Sequence, residues 1–477
     1  MNRLRFKRLA IAALLFGTLV DQSGIAQPPP DRLLVESADW PTDQVALASG
    51  EVLLGLITDE SDATIELMEI RRPPGRPLYL VVRPLRRADV VQIKRLANEQ
   101  RRRTAQRIAQ FKNRAQIDAE RISSVNLQGG QDGPLIYSGD WFRLESTLGE
   151  PTTRLLVVRL NQRFRAYRQV LPPREQHTQK PVGVFVFGSK ERYRQFLEGL
   201  NLQVDNAAVY LADRRFVVAG SKLDATNAQL AQLAHRHRQL HDDLARLDRE
   251  LPQRVAELEA ALAEDGSSPQ QIRSIVLATR QKWESQRNAR AAAIAEADTA
   301  NGQAYNRAVE SLCRRLYHEA FHAYLDNYVF DPEKYDVPTW LNEGWAQLFE
   351  GGQLEADTLR IEAPAPECLQ RLQEVLAADR RLSLEAVLSA DQSAFLLAHG
   401  EGERSASRHY ACAWGLAYYL TFVEPVSAEA LQRYVEPLQG ETPQDRFETL
   451  VGQPLGVFEE RWTRAILSLS APSDSAD

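Results

Sequence analysis

Methionine and cysteine are both scarce in this chain of 477 residues. It has two methionines and three cysteines. Three cysteines exclude a disulfide-rich scaffold, and in an exported protein one pair among Cys313, Cys368 and Cys412 could be oxidised. The sequence does not indicate which two cysteines would be paired. The only methionine after Met1 is Met68, which restricts the motifs that the chain can contain.

The chain also lacks a strong charge bias and a long hydrophobic run beyond its N-terminus. Its 58 basic and 64 acidic residues give a net charge of −6, so no overall field favours nucleic acid as a partner. No later run is long and apolar enough for a transmembrane helix. With 44% hydrophobic residues, the composition indicates a globular protein of two or three domains.

The first 26 residues have the pattern of a signal peptide. Basic residues from Arg3 to Arg8 precede an apolar run, Leu9 to Val20, that is too short to span a bilayer. Small residues near Ala26 suit cleavage before Gln27. We therefore expect export to the periplasm or the extracellular space, with an uncleaved anchor as the alternative. No cysteine lies near the segment, so a lipoprotein is not expected.

Residues 31–95 alternate between apolar and polar side chains in short runs separated by turn residues. This pattern predicts a small β-barrel of the SH3 or Sm type, with a structural or docking role. Residues 96–134 follow as a connector helix and loop, and the basic helix is predicted over 88–122. Its arginines suit a solvated surface, with nucleic acid or a membrane surface as the alternative partner.

Residues 135–220 are predicted to form an α/β lobe, and residues 221–300 an antiparallel coiled-coil insertion. Leucines recur at coiled-coil spacing along its first arm, although Pro252 is expected to interrupt the pattern. His235, His237 and His241 cluster on this arm, but the arginines between them argue against a second metal site. A polar turn starts the return arm, which Asn301 and Gly302 are expected to break.

The remaining residues, 301–470, are predicted to form a helical lobe before a disordered tail at 471–477. This lobe contains the sequence H-E-A-F-H at residues 318–322. On a helix, His318 and His322 lie one turn apart on the same face, as two zinc ligands require. Glu319 points beside them, where a general base acts without occupying the metal.

A second motif, W-L-N-E-G-W-A, follows Pro338 and supplies a third ligand. Glu343 is separated from His322 by 20 intervening residues and lies on the next predicted helix. Two imidazoles and one carboxylate would hold one Zn²⁺ with a fourth position open for catalysis. A chance H-E-x-x-H is the alternative, and the second motif argues against it.

These two motifs resemble those of the gluzincin peptidases, and W-L-N-E-G is similar to the aminopeptidase N branch. The arrangement also resembles uncharacterised peptidase-MA-like families of exported bacterial proteins. The resemblance covers about residues 140–220 and 301–465. It implies an α+β fold in which a zincin-like catalytic domain combines a small sheet with a helical lobe. It also implies that the hairpin of residues 207–219 lies at the cleft, at the sheet edge that pairs with extended peptide.

The resemblance further implies a Tyr or His donor for the oxyanion, and Tyr410 is the first candidate and His409 the second. The alternative for Tyr410 is an aromatic core stripe with Trp414. An acid is expected four residues after Glu343, but Gln347 stands there, which predicts weaker metal binding. The G-x-M-E-N segment of aminopeptidases is absent, because Met68 lies in the sequence L-M-E-I.

The sequence therefore predicts an exported zinc metallopeptidase that cleaves peptide or protein substrates as an endopeptidase or processing enzyme. The alternative is a non-catalytic scaffold that binds partners through the barrel and the coiled-coil hairpin. Glu319 argues against the alternative, because a structural zinc site does not need that carboxylate. In either case the hairpin is a candidate surface for a protein partner.

Overall fold

The computed structural model describes residues 40–469 except 72–77, 131–132, 175–179, 205, 356–357, 361–365, 379–381, 396–400 and 438–439. The predicted signal peptide (1–26) and the predicted tail (471–477) lie outside the described residues. The predicted α+β class is confirmed, since sheets of five, six and two strands accompany a mainly helical chain in the described residues.

The N-terminal region is an antiparallel sheet of five strands. They are β1 (Asp43–Leu47), β2 (Val52–Glu60), β3 (Thr64–Arg71), β4 (Tyr79–Arg86) and β5 (Val90–Lys94), in the order β4-β3-β2-β1-β5. Among the described residues β4 and β5 do not pair, so the predicted closed barrel is wrong. Strand β4 has no fully buried residue and carries Pro84, which cannot donate to a ladder. These features are typical of an open sheet edge.

The predicted basic helix over 88–122 is also wrong at its start. Val90, Val91 and Ile93 suit a strand, and β5 pairs with β1. Two helices follow, α1 (Asn98–Lys112) and α2 (Arg114–Ser124). Arg101 on α1 forms an ion pair with the fully buried Asp43 at 2.7 Å. At least one of the predicted surface arginines therefore holds the helix to the sheet.

The second sheet has six strands in the order β10-β11-β9-β8-β7-β6. The strands are β6 (Gln128–Gly129), β7 (Leu135–Ser138), β8 (Phe142–Ser146), β9 (Val182–Phe187), β10 (Ala208–Leu211) and β11 (Phe216–Gly220). Strands β8, β9 and β11 are parallel, and the antiparallel hairpin β10–β11 leaves β10 at the edge. Helices α3 (Glu150–Val170) and α4 (Lys190–Gly199) complete this lobe.

Two long helices follow the sheet, α5 (Leu223–Glu264) and α6 (Pro269–Tyr324). The predicted break at Asn301 and Gly302 is wrong, because α6 continues through Gly302. Helix α5 also continues through Pro252, where the leucine spacing was expected to be interrupted. A glycine in a helix costs only about 1 kcal/mol, which packing against a neighbouring helix can offset. The H-E-A-F-H segment is consequently the last part of the helix that forms the return arm.

The two arms of the hairpin are joined by few buried side chains and by polar contacts. Leu244 and Val255 on α5 and Val276 and Ile294 on α6 are buried. His237 Nδ1 lies 2.6 Å from Asp298 Oδ1 across the hairpin. His237 is thus used in pairing the arms.

The C-terminal lobe is helical. Its elements are α7 (Thr339–Gly351), β12 (Gln353–Glu355), β13 (Thr358–Arg360), α8 (Pro366–Ala377), α9 (Leu384–Leu388), α10 (Gln392–Phe395), α11 (Glu401–Tyr418), α12 (Ala428–Val435), α13 (Pro443–Val451) and α14 (Leu455–Ser468). One core joins this lobe to the second sheet and to the end of α6. Over the described residues, none of the helices combines the length and apolar character needed to span a bilayer. The three cysteines are free thiols.

Candidate metal centre

The end of α6 is held by aromatic packing on one face. Phe321 is fully buried, stacks on Phe349 at 4.9 Å and meets the edge of Tyr167 at 5.4 Å. The hydroxyl of Tyr167 donates to the carbonyl of Tyr317 at 2.8 Å. Because these contacts fix the helix rotation, His318 and His322 are directed together toward α7.

Helix α7 brings Glu343 to the two histidines. Its carboxylate lies 3.2 Å from His318 Nε2 and 3.7 Å from His322 Nε2. The three ligand atoms all lie within 4.8 Å of one another. Ligands of a tetrahedral zinc at bond lengths near 2.0–2.1 Å are about 3.3 Å apart. The three predicted ligands are therefore gathered at a spacing that suits this ion, and within the described part of the chain no other such group of three occurs.

Each histidine has a partner on its other ring nitrogen. His318 Nδ1 lies 3.1 Å from Glu350 Oε2, and His322 Nδ1 lies 2.7 Å from Asn342 Oδ1. If each Nδ1–H donates to these oxygens, the Nε2 lone pairs face Glu343, as metal ligation requires. The donor set and its supporting hydrogen bonds thus fit a zinc ion.

The pKa shifts indicate a site that favours positive charge. Burial lowers the pKa of His318, but its hydrogen bonds to Glu343 and Glu350 outweigh burial and raise the pKa well above its ordinary value. Burial raises the pKa of Glu343, but the positive charges of His322 and His318 bring it below its usual range. A cation at this point is stabilised by the surrounding carboxylates.

The glycine after Glu343 allows α7 and α11 to approach closely. A Cβ on Gly344 would lie 2.3 Å from the carbonyl oxygen of Ala413. Gln347 adds a hydrogen bond from Nε2 to the carbonyl of Tyr410, at 3.1 Å. Gln347 therefore ties the two helices together through the backbone.

Arg163 on α3 secures the other end of α7. Its guanidinium donates to the carbonyls of Phe349 and Gly352, at 2.6 and 3.0 Å, and lies over the ring of Tyr317. These carbonyls belong to the last turn of the helix and to its C-cap residue, where intrahelical donors are lacking. One buried cation thus connects the Glu343 helix with the His318 helix.

Glu319 lies beside the three ligands and faces the second sheet. Its Oε2 accepts the backbone N–H of Tyr210 at 2.7 Å. Tyr210 is in β10, the edge strand, so the expected proximity of this hairpin to the H-E-A-F-H helix is observed. The carboxylate predicted as base consequently lies at the edge strand of the second sheet.

Tyr410 and His409 lie on α11, near the cluster. Burial, followed by the negative charges of Glu343, Glu319 and Glu350, raises the pKa of the Tyr410 phenol. Both rings also pack against Phe395, with centroids 5.2 and 5.6 Å away. Tyr410 thus has core contacts as well as proximity to the carboxylates, and its role as oxyanion donor stays a prediction.

Sequence reasoning missed the two partners of the histidines. The acid was expected four residues after Glu343, whereas Glu350 stands seven residues after it, again on the same helix face. Glu350 supplies the charge that Gln347 lacks, which removes the reason for expecting weak metal binding. Asn342 could have been found as the residue preceding the ligand in W-L-N-E-G.

Comparisons with known proteins identify one family and assign it no function. Residues 314–444 match a family model described as a protein of unknown function, DUF1570. The matched segment includes His318, Glu319, His322, Glu343 and Tyr410, but it covers well under half of the chain. No curated protein matches the sequence.

Proposed function

We propose that the protein is an exported zinc-dependent metallopeptidase of the gluzincin type, with a zincin-like catalytic domain. The observation that carries the proposal is the convergence of His318, His322 and Glu343 within 4.8 Å, with Glu319 beside them at the edge strand. A structural zinc site does not need a further carboxylate beside its ligands.

His318, His322 and Glu343 would hold the ion, and Glu350 and Asn342 would orient the two imidazoles. When bound, zinc supplies a Lewis acid that polarises a carbonyl and lowers the pKa of water. Glu319 accepts the proton of the attacking water and passes it to the departing amine. Tyr410 would donate its phenolic hydrogen to the oxyanion, since a phenol is protonated at neutral pH.

The edge strand β10 would bind the substrate in extended form. The Tyr210 N–H donates to Glu319, and the Tyr210 carbonyl points to the same side of this antiparallel strand. A peptide that adds to this edge would place a backbone carbonyl near Glu319. An endopeptidase or processing enzyme is favoured, because the amine-binding G-x-M-E-N motif is absent.

The test combines metal content with hydrolysis of an unbiased peptide library. Wild type and Glu319→Gln should each contain about one zinc, while hydrolysis in Glu319→Gln falls roughly 10²–10⁴-fold. His322→Ala should lose the zinc. Glu296→Gln and His241→Ala, both exposed on the hairpin, are the matched controls and should behave as wild type.

Equal hydrolysis by wild type and Glu319→Gln would favour a scaffold that binds partners. The scaffold function has its own support, because the hairpin arms expose Leu240 and Leu277. Full zinc occupancy in both His322→Ala and Glu343→Ala would contradict the ligand assignment.

A further inference from the structure

A cavity of about 280 Å³ adjoins the metal centre on its N-terminal side along α6. Five of its lining residues come from the three turns that precede His318, and the sixth is Glu350, whose carboxylate contacts the ring of His318. The lining residues are Arg307, Glu310, Ser311, Arg314, Arg315 and Glu350. The cavity and the metal centre therefore share one side chain.

The charges of the cavity are not balanced. Glu310 forms an ion pair with Arg314 at 3.1 Å, and Glu350 is used by His318. Among the described residues, Arg307 and Arg315 have no carboxylate within ion-pair distance. Two guanidinium groups are thus left to interact with a negative group from outside.

Arg315 is the better placed of the two. It is half-buried, its Nη1 donates to Ser311 Oγ at 3.1 Å, and its Nε is buried with no acceptor among the described residues. Burial lowers the pKa of this arginine, while Glu350 and Tyr193 raise it. A buried guanidinium donor without an acceptor costs free energy that a bound carboxylate would recover.

The position of Arg315 links it to the scissile region. It precedes Glu319 by four residues, so the two side chains lie on the same face of α6. Tyr193 on α4 is close enough to both that their charges shift the pKa of its phenol, although burial is the larger cause of its rise. A group held by Arg315 would therefore lie on the same side of α6 as a peptide bound beside Glu319.

We propose that this cavity is a specificity subsite for a carboxylate of the substrate peptide, and that Arg315 is the residue that binds it. The carboxylate is that of an Asp or Glu side chain or of the peptide's C-terminus. Arg307 and Arg314 supply the surrounding positive charge, and Ser311 orients the guanidinium. The proposal rests on the proposed function for the identity of the ligand as a peptide.

The test measures binding, so that it does not depend on hydrolysis. Zinc-loaded Glu319→Gln protein is immobilised and then incubated with a pool of decapeptides. Each acidic peptide in the pool has a counterpart in which Glu is replaced by Gln or Asp by Asn. A second pool has the same sequences with free or amidated C-termini. Retained peptides are quantified by mass spectrometry. Acidic members should be retained at least about tenfold more than their counterparts, and the two pools separate side-chain from terminal carboxylates.

Arg315→Gln in the same background should abolish this preference, and Arg315→Lys should restore part of it. Arg280→Gln, an exposed arginine far along the same helix, is the control and should retain the full preference. Equal retention of acid and amide members, or retention of none, would overturn the proposal. Acid-selective binding by protein whose wild type cleaves nothing would support the subsite and contradict the peptidase.

Discussion

Helix α6 has two ends that share one backbone geometry and differ in their surroundings. From residue 269 to residue 308 only Val276 and Ile294 are buried. From residue 309 to residue 324 most apolar side chains are buried, namely Val309, Leu312, Cys313, Leu316, Tyr317, Ala320, Phe321, Ala323 and Tyr324. The two candidate metal ligands of α6, His318 and His322, lie at the buried end.

This difference shows what a metal centre requires beyond helical spacing. The hairpin end also has histidines nearby on α5, but His235 and His241 are exposed, and His237 is used in the contact with Asp298 across the hairpin. At the buried end, tight aromatic packing and carbonyl contacts restrict the helix to one rotation. A site whose ligand atoms must meet within a few tenths of an ångström needs such restraint.

The largest effect is expected from the test of whether the two ends of α6 differ in packing. Phe321→Ala should lower the free energy of unfolding by about 3–5 kcal/mol, because it removes a fully buried ring between the two histidines. Leu277→Ala, on the exposed end, should change it by less than about 0.5 kcal/mol. Urea titration followed by circular dichroism measures both, and similar losses would contradict the contrast.

A second test concerns charge at the buried end. Burial raises the pKa of Asp326 to about 6, although His322 and the Tyr210 hydroxyl oppose the shift. When the pKa of a carboxyl group is higher in the folded than in the unfolded state, the protein becomes less stable as the pH rises through the pKa of the folded state. In metal-free protein, Asp326→Asn should therefore match wild type near pH 4.

Above pH 6 the Asp326→Asn variant should be the more stable, by at most about 3 kcal/mol. Tyr210 can still donate its hydroxyl to the Asn oxygen, so the change isolates the charge. Unfolding by urea at several pH values measures the difference. A pH-independent difference would show that the carboxyl is not desolvated.

The third test uses two glycines with opposite surroundings. Gly344→Ala should destabilise by about 1–3 kcal/mol and reduce zinc occupancy, because its Cβ would meet the Ala413 carbonyl and displace α7. Gly302→Ala has no atom within 4 Å of the new Cβ and should stabilise by about 1 kcal/mol. Thermal unfolding and zinc content are measured for both variants. Stability changes of the same sign in the two variants would contradict the prediction.

The smallest effect is expected from removing the exposed end altogether. Residues 234–300 begin and end opposite each other, since His237 contacts Asp298, so a short Gly/Ser linker can replace them. Zinc content and stability of the remaining protein should be unchanged within about 0.5 kcal/mol. Loss of zinc would show that the hairpin supports the site, and a wider range of cleaved peptides would show that it restricts access.

The helices around the site were largely predictable, and the sheets less so. The spacing of His318, Glu319 and His322 depends only on helix geometry within one turn, and helices at both motifs are observed. The barrel and the helix over 88–122 were wrong for a different reason. Strand pairing and closure depend on contacts between residues far apart in sequence, such as Val90 with Leu47.

The amino-acid sequence alone determined which residues can ligate a metal, because H-E-A-F-H and W-L-N-E-G set their spacing within each helix. Only the tertiary structure decided that Glu350 and Asn342 hold the imidazoles, and that Glu319 meets β10. It also decided that Arg315 lines a cavity beside the metal centre. These contacts join separate elements through packing of α3, α6, α7 and the second sheet, and a local pattern carries no information about that packing.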